Sequence, residues 1–240
     1  MEKKNTMIKL SLVTALLAGG VVLFGCNNRQ DSVPLKAVQE TEMKAMQQSW
    51  RGVIPCADCS GIETSLFLAK DGTWVMNDYY QGARETPSSF ASYGTWARTA
   101  DKLVLTDTKG EKSYFRVAGD KLQMLDDEGN RIDSDLNYTL SPVQATLPVT
   151  PMPMRGKYRY MADAATFTDC MTGREMPMAN NVQLERGYAT AGGQGMEGVM
   201  VELQAHYAME PNMDTGVLQK TVVPDGHGQF KPGQDCHKQQ

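Results

Sequence analysis

Two cysteines at short spacing are the residues of this chain best suited to chemistry. Cys56 and Cys59 form a Cys-Ala-Asp-Cys motif. A thioredoxin-type active site would need the first cysteine at a helix N-terminus within a βαβ unit, but Pro55, Gly61 and strand-like flanks favour a loop between strands. A soft-metal site stays open, because thiolates select Cu(I) or Zn²⁺. The third interpretation is a structural or reporter disulfide.

The N-terminus has the pattern of an export signal. Three lysines precede an uncharged run at residues 10–25, which is too short to cross a bilayer comfortably. The run ends at Gly25-Cys26, which resembles a bacterial lipoprotein box. That resemblance implies removal of residues 1–25, acylation of Cys26 and stable anchoring. The alternative is an ordinary signal peptide with a coincidental cysteine. Asn27, where an Asp would favour the inner membrane, predicts the periplasmic leaflet of the outer membrane.

The predicted compartment indicates the oxidation state of the other four cysteines. Export to the periplasm permits disulfides, and lipidation of Cys26 leaves four cysteines with three alternative pairings. We predict Cys56–Cys59 and Cys170–Cys236, because the first two are three residues apart and the second two bracket the last third of the chain. On the chain-entropy model the long loop contributes roughly 4 kcal/mol and the short one roughly 2 kcal/mol. The long loop is therefore the predicted staple, and the short one is the labile, switchable or metal-binding pair.

The elements that position these cysteines are predicted to be all-β, in two small domains. A tether at 26–48 precedes strand-like runs at 49–141, which are separated by turn signals such as Asp71-Gly72. Even spacing of short strands predicts an antiparallel meander that closes into a barrel. Four prolines at 142–154 predict a semi-rigid linker. Residues 155–240 then form a second β domain that is small enough to need a disulfide.

Composition excludes several classes of function. The chain has 240 residues, a net charge of -4 and no basic block, so we predict no nucleic-acid binding. The sequence also contains no GxSxG, P-loop, HExxH or GxGxxG motif, and we predict that it is not an enzyme.

Methionine and histidine are the remaining candidate copper ligands. Ten of the 16 methionines lie between Met152 and Met213, but without a recurring Met-x-x-Met array they are read mainly as core or surface residues. His206 and His227 are scattered along the sequence. His237 beside Cys236 would form a metal corner only if the disulfide were reduced. No cofactor is required, although copper is a candidate.

Three segments carry a family resemblance. Residues 50–64, 88–96 and 160–170 closely resemble the NlpE family of copper-resistance and envelope-stress lipoproteins. The resemblance implies a lipocalin-like N-terminal barrel and an OB-like C-terminal barrel. It also implies activation of the Cpx two-component response through the periplasmic domain of the kinase CpxA. The stimuli that it implies are surface adhesion, faulty lipoprotein delivery, and copper or redox stress.

The sequence thus predicts a lipid-anchored sensor and signalling adaptor of the outer membrane. Its expected partners are the CpxA periplasmic domain, the lipoprotein-sorting machinery and the membrane, with a homodimer left open. Retention in the inner membrane after faulty sorting would raise its effective concentration near the kinase. One alternative is a copper-binding or copper-buffering lipoprotein that uses Cys56 and Cys59. Another is a carrier of a small apolar ligand inside the barrel.

Overall fold

The N-terminal part of the chain is a closed barrel. The structure is a computed structural model that describes residues 49–83, 88–99, 101–194 and 196–236. The barrel strands are β1 (Ser49–Ile54), β2 (Gly61–Leu68), β3 (Thr73–Gln81), β4 (Ser89–Arg98), β5 (Lys102–Asp107), β6 (Lys112–Ala118), β7 (Lys121–Met124) and β8 (Thr139–Val143). Each strand pairs antiparallel with the next, and β8 returns to β1, so no strand edge is left open. The predicted antiparallel barrel is confirmed.

The barrel interior is filled with side chains, because the strands alternate between an inward and an outward face. On β2, Leu66 and Leu68 point inward, while Phe67 between them points outward. The buried interior residues are Trp50, Leu66, Leu68, Trp74, Leu103, Leu105, Phe115, Leu122 and Leu140. An eight-stranded barrel is just wide enough for side chains to fill.

The turns alternate between the two ends of the barrel. The turns after β2, β4 and β6 lie at one end together with Ser49, the first residue of β1, and we call this the Ser49 end. The loops after β1, β3, β5 and β7 lie at the opposite end, which we call the mouth. The two ends therefore differ in content: the chain enters the barrel at one, and the Cys56–Cys59 loop lies at the other.

The C-terminal part is a curled sheet of six strands. Its elements are β9 (Met152–Met161), β10 (Ala164–Asp169), β11 (Glu175–Pro177), α1 (Val182–Thr190), β12 (Val199–Pro211), β13 (Leu218–Pro224) and β14 (Gln229–Phe230). The order is β11-β10-β9-β12-β13, with β14 on β12, and a parallel bridge from Met178 to Val222 brings the two ends of the sheet together. Within the described ranges, no helix is both long and apolar enough to cross a membrane.

Strands enter both ends of the segment predicted as a linker. Residues 142 and 143 belong to β8, and residues 152–154 belong to β9, so only residues 144–151 lie outside strands. Pro142 pairs with Trp50 of β1 and lies beyond Leu140, the last residue of β8 that pairs with β7. Pro153 pairs with Gln204 of β12 and lies before Gly156, the first residue of β9 that pairs with β10. Each proline thus has a neighbouring strand on one side only, and a missing N–H is tolerated towards the side that has no neighbour.

The core of the second domain contains aromatic rings and several methionines. Tyr158 packs edge-on against Tyr188 of α1 and Phe230 of β14, with ring centroids 5.4 and 5.8 Å away. Five methionines are buried, namely Met152, Met154, Met176, Met178 and Met200. Met161, Met196, Met209 and Met213 are exposed, so the methionines of this domain divide between core and surface.

An outward-facing row of the barrel packs against this second core. Phe67, Val75 and Tyr93 are neighbours across β2, β3 and β4, and all three are buried in the core of the second domain. The ring of Tyr93 meets that of Tyr207 edge-on, with centroids 5.6 Å apart. The two β domains are therefore docked through an apolar junction.

Candidate functional site

The first disulfide lies in the loop between β1 and β2. Ile54 and Ile62 form the last pair of the ladder, and residues 55–60 turn between them. Cys56 and Cys59 are disulfide-bonded, with Cα atoms 5.3 Å apart. Both cysteines are half-buried, while the two residues between them are exposed. The disulfide is thus accessible from solvent at the mouth.

The loop borders a groove at the mouth. The groove has a volume of about 960 Å³ and is lined by the disulfide loop, Ile62 and Tyr80. Tyr80 packs edge-on against Phe90, and Thr64 donates a 2.6 Å hydrogen bond to Asp78 one layer deeper. Burial raises the pKa of the Asp78 carboxyl, against the opposing effect of that hydrogen bond. The mouth therefore combines an aromatic rim with one polar pair below it.

The geometry limits what Cys56 and Cys59 can do. The loop does not start a helix, so the thioredoxin arrangement is not formed here. Disulfide sulfurs are not thiolates, so a copper ion would require prior reduction. Across the residues that are described, no group of three His, Cys, Asp or Glu side chains is placed to hold a metal ion.

The second disulfide ties the C-terminal segment to the end of β10. Cys170 and Cys236 are bonded, with Cα atoms 5.2 Å apart. The Cys170 sulfur lies 3.8 Å from the sulfur of buried Met200. Next to the bond, the Lys157 ammonium lies 3.1 Å from a carboxyl oxygen of Asp235. Between β14 and Cys236 the described chain forms no further strand, so this disulfide attaches that segment to the sheet.

Directly before Cys170 lies a hydrogen bond between the two domains. Asp169 is fully buried, and one of its carboxyl oxygens accepts a 2.7 Å hydrogen bond from the Tyr93 hydroxyl of the barrel. Its other oxygen accepts from the backbone and hydroxyl of Thr172. Burial, and then the neighbouring Asp169, raise the pKa of Tyr93 strongly, so the phenol stays protonated and donates. The second disulfide is one residue away from this contact.

A second polar contact joins the domains at the Ser49 end of the barrel. The Lys220 ammonium lies 2.6 Å from an Asp71 carboxyl oxygen and 2.7 Å from the Thr73 hydroxyl, and it sits over the Tyr207 ring. Arg174 also donates to the Asp71 backbone carbonyl. Burial raises the pKa of Asp71, but the hydrogen bonds and charge of Lys220 and the bonds from Thr73 outweigh it and lower the pKa overall.

The structure brings the predicted cysteines together in two separate pairs. Cys56 and Cys59 belong to the barrel mouth, whereas Cys170 and Cys236 belong to the second domain. Cys26, the predicted lipidation residue, and His237 lie outside the described residues.

Sequence reasoning missed the polar junction. It identified Asp71 only as a turn residue, and it assigned no role to Tyr93, Asp169 or Lys220. A hydrogen bond between residues 76 positions apart leaves no local pattern. The adjacency of Asp169 to Cys170 was the one available signal.

Comparisons with known proteins agree on one family. The model of the NlpE N-terminal domain matches residues 50–135, and that of the NlpE C-terminal OB domain matches residues 148–237. Lipoprotein NlpE of Escherichia coli strain K12 is 60% identical over 231 residues, which are 96% of this chain and 98% of that protein.

Two solved structures are also similar. The Cpx pathway activator NlpE from Escherichia coli is 62% identical, over 81% of this chain and 100% of that chain, with a TM-score of 0.40. A Shewanella oneidensis chain assigned as a lipoprotein is 34% identical, over 42% of this chain and 93% of that chain, with a TM-score of 0.36.

Proposed function

We propose that this chain, which belongs to the NlpE family of lipoproteins, is an outer-membrane sensor of envelope stress and surface contact. Its output would be activation of the Cpx system. Its direct partner would be the periplasmic domain of CpxA, and it would perform no enzymatic step. The Escherichia coli relative, described as the Cpx pathway activator, supports the pathway.

The observation that carries the proposal is the position of Cys170–Cys236 beside the domain junction. Reduction of this disulfide would release the C-terminal segment and the loop after β10. Asp169, the last residue of β10, accepts from Tyr93, and Arg174 within the loop donates to the Asp71 carbonyl. A failure of periplasmic oxidation would thus weaken the contact between the barrel and the second domain. This gives a chemical route from redox stress to a conformational signal.

Position in the envelope supplies the second signal. Acylation of Cys26 would fix the chain to a bilayer through the tether, which as a coil reaches on the order of 25 Å. Correct sorting places that anchor in the outer membrane, away from an inner-membrane kinase. Faulty sorting leaves it in the inner membrane and raises the effective concentration near CpxA without any change in intrinsic affinity.

Reporter output in cells separates the two signals. Asn27→Asp, which relocates the anchor, is expected to raise Cpx output, and Cys26→Ala is expected to abolish that rise. Cys170→Ser with Cys236→Ser is expected to raise output in the correctly sorted protein. The matched control is Cys56→Ser with Cys59→Ser, which leaves the junction intact. Equal output from all variants would reject the proposal.

Copper buffering is the second candidate. The exposure of the Cys56–Cys59 loop favours it, because reduction there would present two thiolates without disturbing the barrel core. Titration of the reduced chain with Cu(I) should then show one equivalent fewer in the Cys56→Ala/Cys59→Ala variant. Identical stoichiometry would remove these cysteines as ligands.

Carriage of a small apolar ligand is a third candidate. Because side chains fill the barrel interior, a ligand would lie in the groove at the mouth, against Ile62 and Tyr80. Native mass spectrometry of the purified chain tests this, and a bound mass that Tyr80→Ala removes would support it. An empty chain in every preparation would reject carriage.

A further inference from the structure

The hairpin of β12 and β13 ends in an exposed apolar tip. Its last three pairs are Met209 with Lys220, Glu210 with Gln219 and Pro211 with Leu218. Four large apolar side chains are exposed there, namely Met209 (48%), Met213 (97%), Val217 (66%) and Leu218 (62%). The surfaces of soluble proteins commonly carry single exposed apolar residues, but four such residues at one hairpin tip indicate a contact surface.

Contacts along β12 place this tip at the Ser49 end of the barrel. Tyr207 meets Tyr93 part-way along β4, and two residues further the Met209–Lys220 pair has reached Asp71 in the turn after β2. The hairpin continues in the same direction for two more residue pairs and then turns. The tip therefore extends beyond the end of the barrel.

The chain enters the barrel at the same end. Ser49 and Met209 line one groove of about 870 Å³, so the start of β1 and the hairpin are neighbours. The predicted tether joins Ser49 to the lipidated Cys26. The bilayer that holds the anchor therefore lies within one tether length of the tip, and even a weak affinity for lipid is sufficient at that effective concentration.

We propose that this hairpin tip is a membrane-contact surface that docks on the phospholipid leaflet carrying the lipid anchor. The inference rests on the proposed anchor at Cys26. Residues 209–219 contain Glu210 and Asp214 but no Lys or Arg, so the tip is suited to zwitterionic lipid and apolar insertion rather than to attraction by anionic headgroups.

Docking at the tip has a consequence for orientation. Because the mouth is at the opposite end of the barrel, the Cys56–Cys59 loop is held away from the anchoring bilayer. The groove beside Cys170 and Cys236 also reaches Thr108 and Lys109 in the turn after β5, on the mouth side. Both disulfides therefore face the periplasm, where oxidants, reductants and partner domains arrive.

Quenching of tryptophan by brominated acyl chains tests the contact. The lipidated full chain is placed in phosphatidylcholine vesicles with bromine on the acyl chains. Leu218→Trp at the tip is compared with Leu136→Trp, which is equally exposed at 62% but lies at the mouth, where Asn137 donates to the Val53 carbonyl. We expect about twofold loss of the added emission for Leu218→Trp, since side chains inserted 5–10 Å meet the quencher. Leu136→Trp should stay unquenched.

A vesicle flotation assay on the same samples separates the anchor from the tip. Chain that floats while Leu218→Trp is unquenched, or is quenched no more than Leu136→Trp, overturns the membrane contact and leaves the anchor intact. Chain that fails to float removes the anchor and the contact together. Loss of quenching after Met213→Asp with Val217→Asp supports the contact. Self-association that those two changes abolish, without quenching, would assign the tip to a second copy and overturn the proposal.

Discussion

The two disulfides of this protein differ in what they hold together. Cys56–Cys59 closes a four-residue loop whose flanking strands are already joined by the ladder pair Ile54 and Ile62. Cys170–Cys236 joins residues 66 positions apart and attaches a segment that, between β14 and Cys236, forms no strand. The first adds little to a barrel that hydrogen bonds have closed. The second disulfide takes the place of strand pairing for its segment, and it lies beside the domain junction.

This contrast shows why one bond suits sensing and the other suits exchange or metal chemistry. A reporter must change the protein when its redox state changes, and Cys170 directly follows Asp169, whose carboxyl accepts from the barrel. Reaction at Cys56 and Cys59 changes only the mouth of the barrel. The predictions below test this difference, from the largest expected effect to the smallest.

Removal of the second disulfide should have the largest effect. Cys170→Ser with Cys236→Ser is expected to lower the free energy of unfolding by about 4 kcal/mol on the chain-entropy model. Urea denaturation, monitored separately for each domain, measures it. The loss should fall on the second domain, and a loss confined to the barrel would contradict the comparison.

Removal of the first disulfide should cost less. Cys56→Ser with Cys59→Ser is expected to lower the free energy of unfolding by at most about 2 kcal/mol, because the loop that it closes is short. The same denaturation experiment measures both variants. A cost equal to that of the Cys170–Cys236 variant would show that the two bonds are not different in kind.

The interdomain hydrogen bond should be measurable by itself. Tyr93→Phe removes the donor to buried Asp169 and is expected to cost about 1.5 kcal/mol. Tyr207→Phe is the matched control, because among the described residues the buried Tyr207 hydroxyl finds no hydrogen-bond partner. That change should be neutral or slightly stabilising. Equal costs for the two variants would argue against a specific role of the Tyr93 hydroxyl.

The ion pair at the junction should give the smallest effect, with a defined pH dependence. Lys220→Met is expected to cost about 1 kcal/mol at neutral pH, since the pair is partly exposed. The pKa of Asp71 is lower in the folded chain, so the stabilisation is complete above about pH 4 and is lost as the pH falls through that lowered pKa.

Comparison of the two proteins isolates that pair. The difference in unfolding free energy between the wild type and Lys220→Met should shrink below about pH 4. Asp78, whose pKa burial raises, changes stability in the opposite direction in both proteins and cancels in the difference. A difference that stays constant down to pH 2.5 would show that Asp71 is not the linked group.

Much of the fold was accessible from the sequence because it rests on local patterns. Short strand-like runs separated by turns such as Asp71-Gly72 predicted the meander, and alternate residues are buried along one of these runs, β5. The prolines were a poor guide to where the strands end at both ends of the linker. The effect of a proline on a strand depends on whether that strand has neighbours on both sides. Pro142 and Pro153 each have one neighbouring strand, and this depends on the tertiary structure rather than on the local sequence.

The site divides in the same way. The cysteine pairs were predicted from their spacing, which is a property of the sequence. The contacts of Tyr93 with Asp169 and of Lys220 with Asp71 join residues 76 and 149 positions apart. Such contacts are set by how the two domains dock, and no spacing within either domain encodes the partner.

Amide hydrogen exchange is the most direct test of the coupling between the second disulfide and the domain junction. The Cys170→Ser/Cys236→Ser variant is predicted to lose protection at residues 169–174, which are the end of β10 and the loop after it, and on the junction-facing strands β3 and β4 of the barrel. The Cys56→Ser/Cys59→Ser variant should exchange faster only at the mouth. Unchanged protection of β3 and β4 in the first variant would show that the second disulfide does not control the junction.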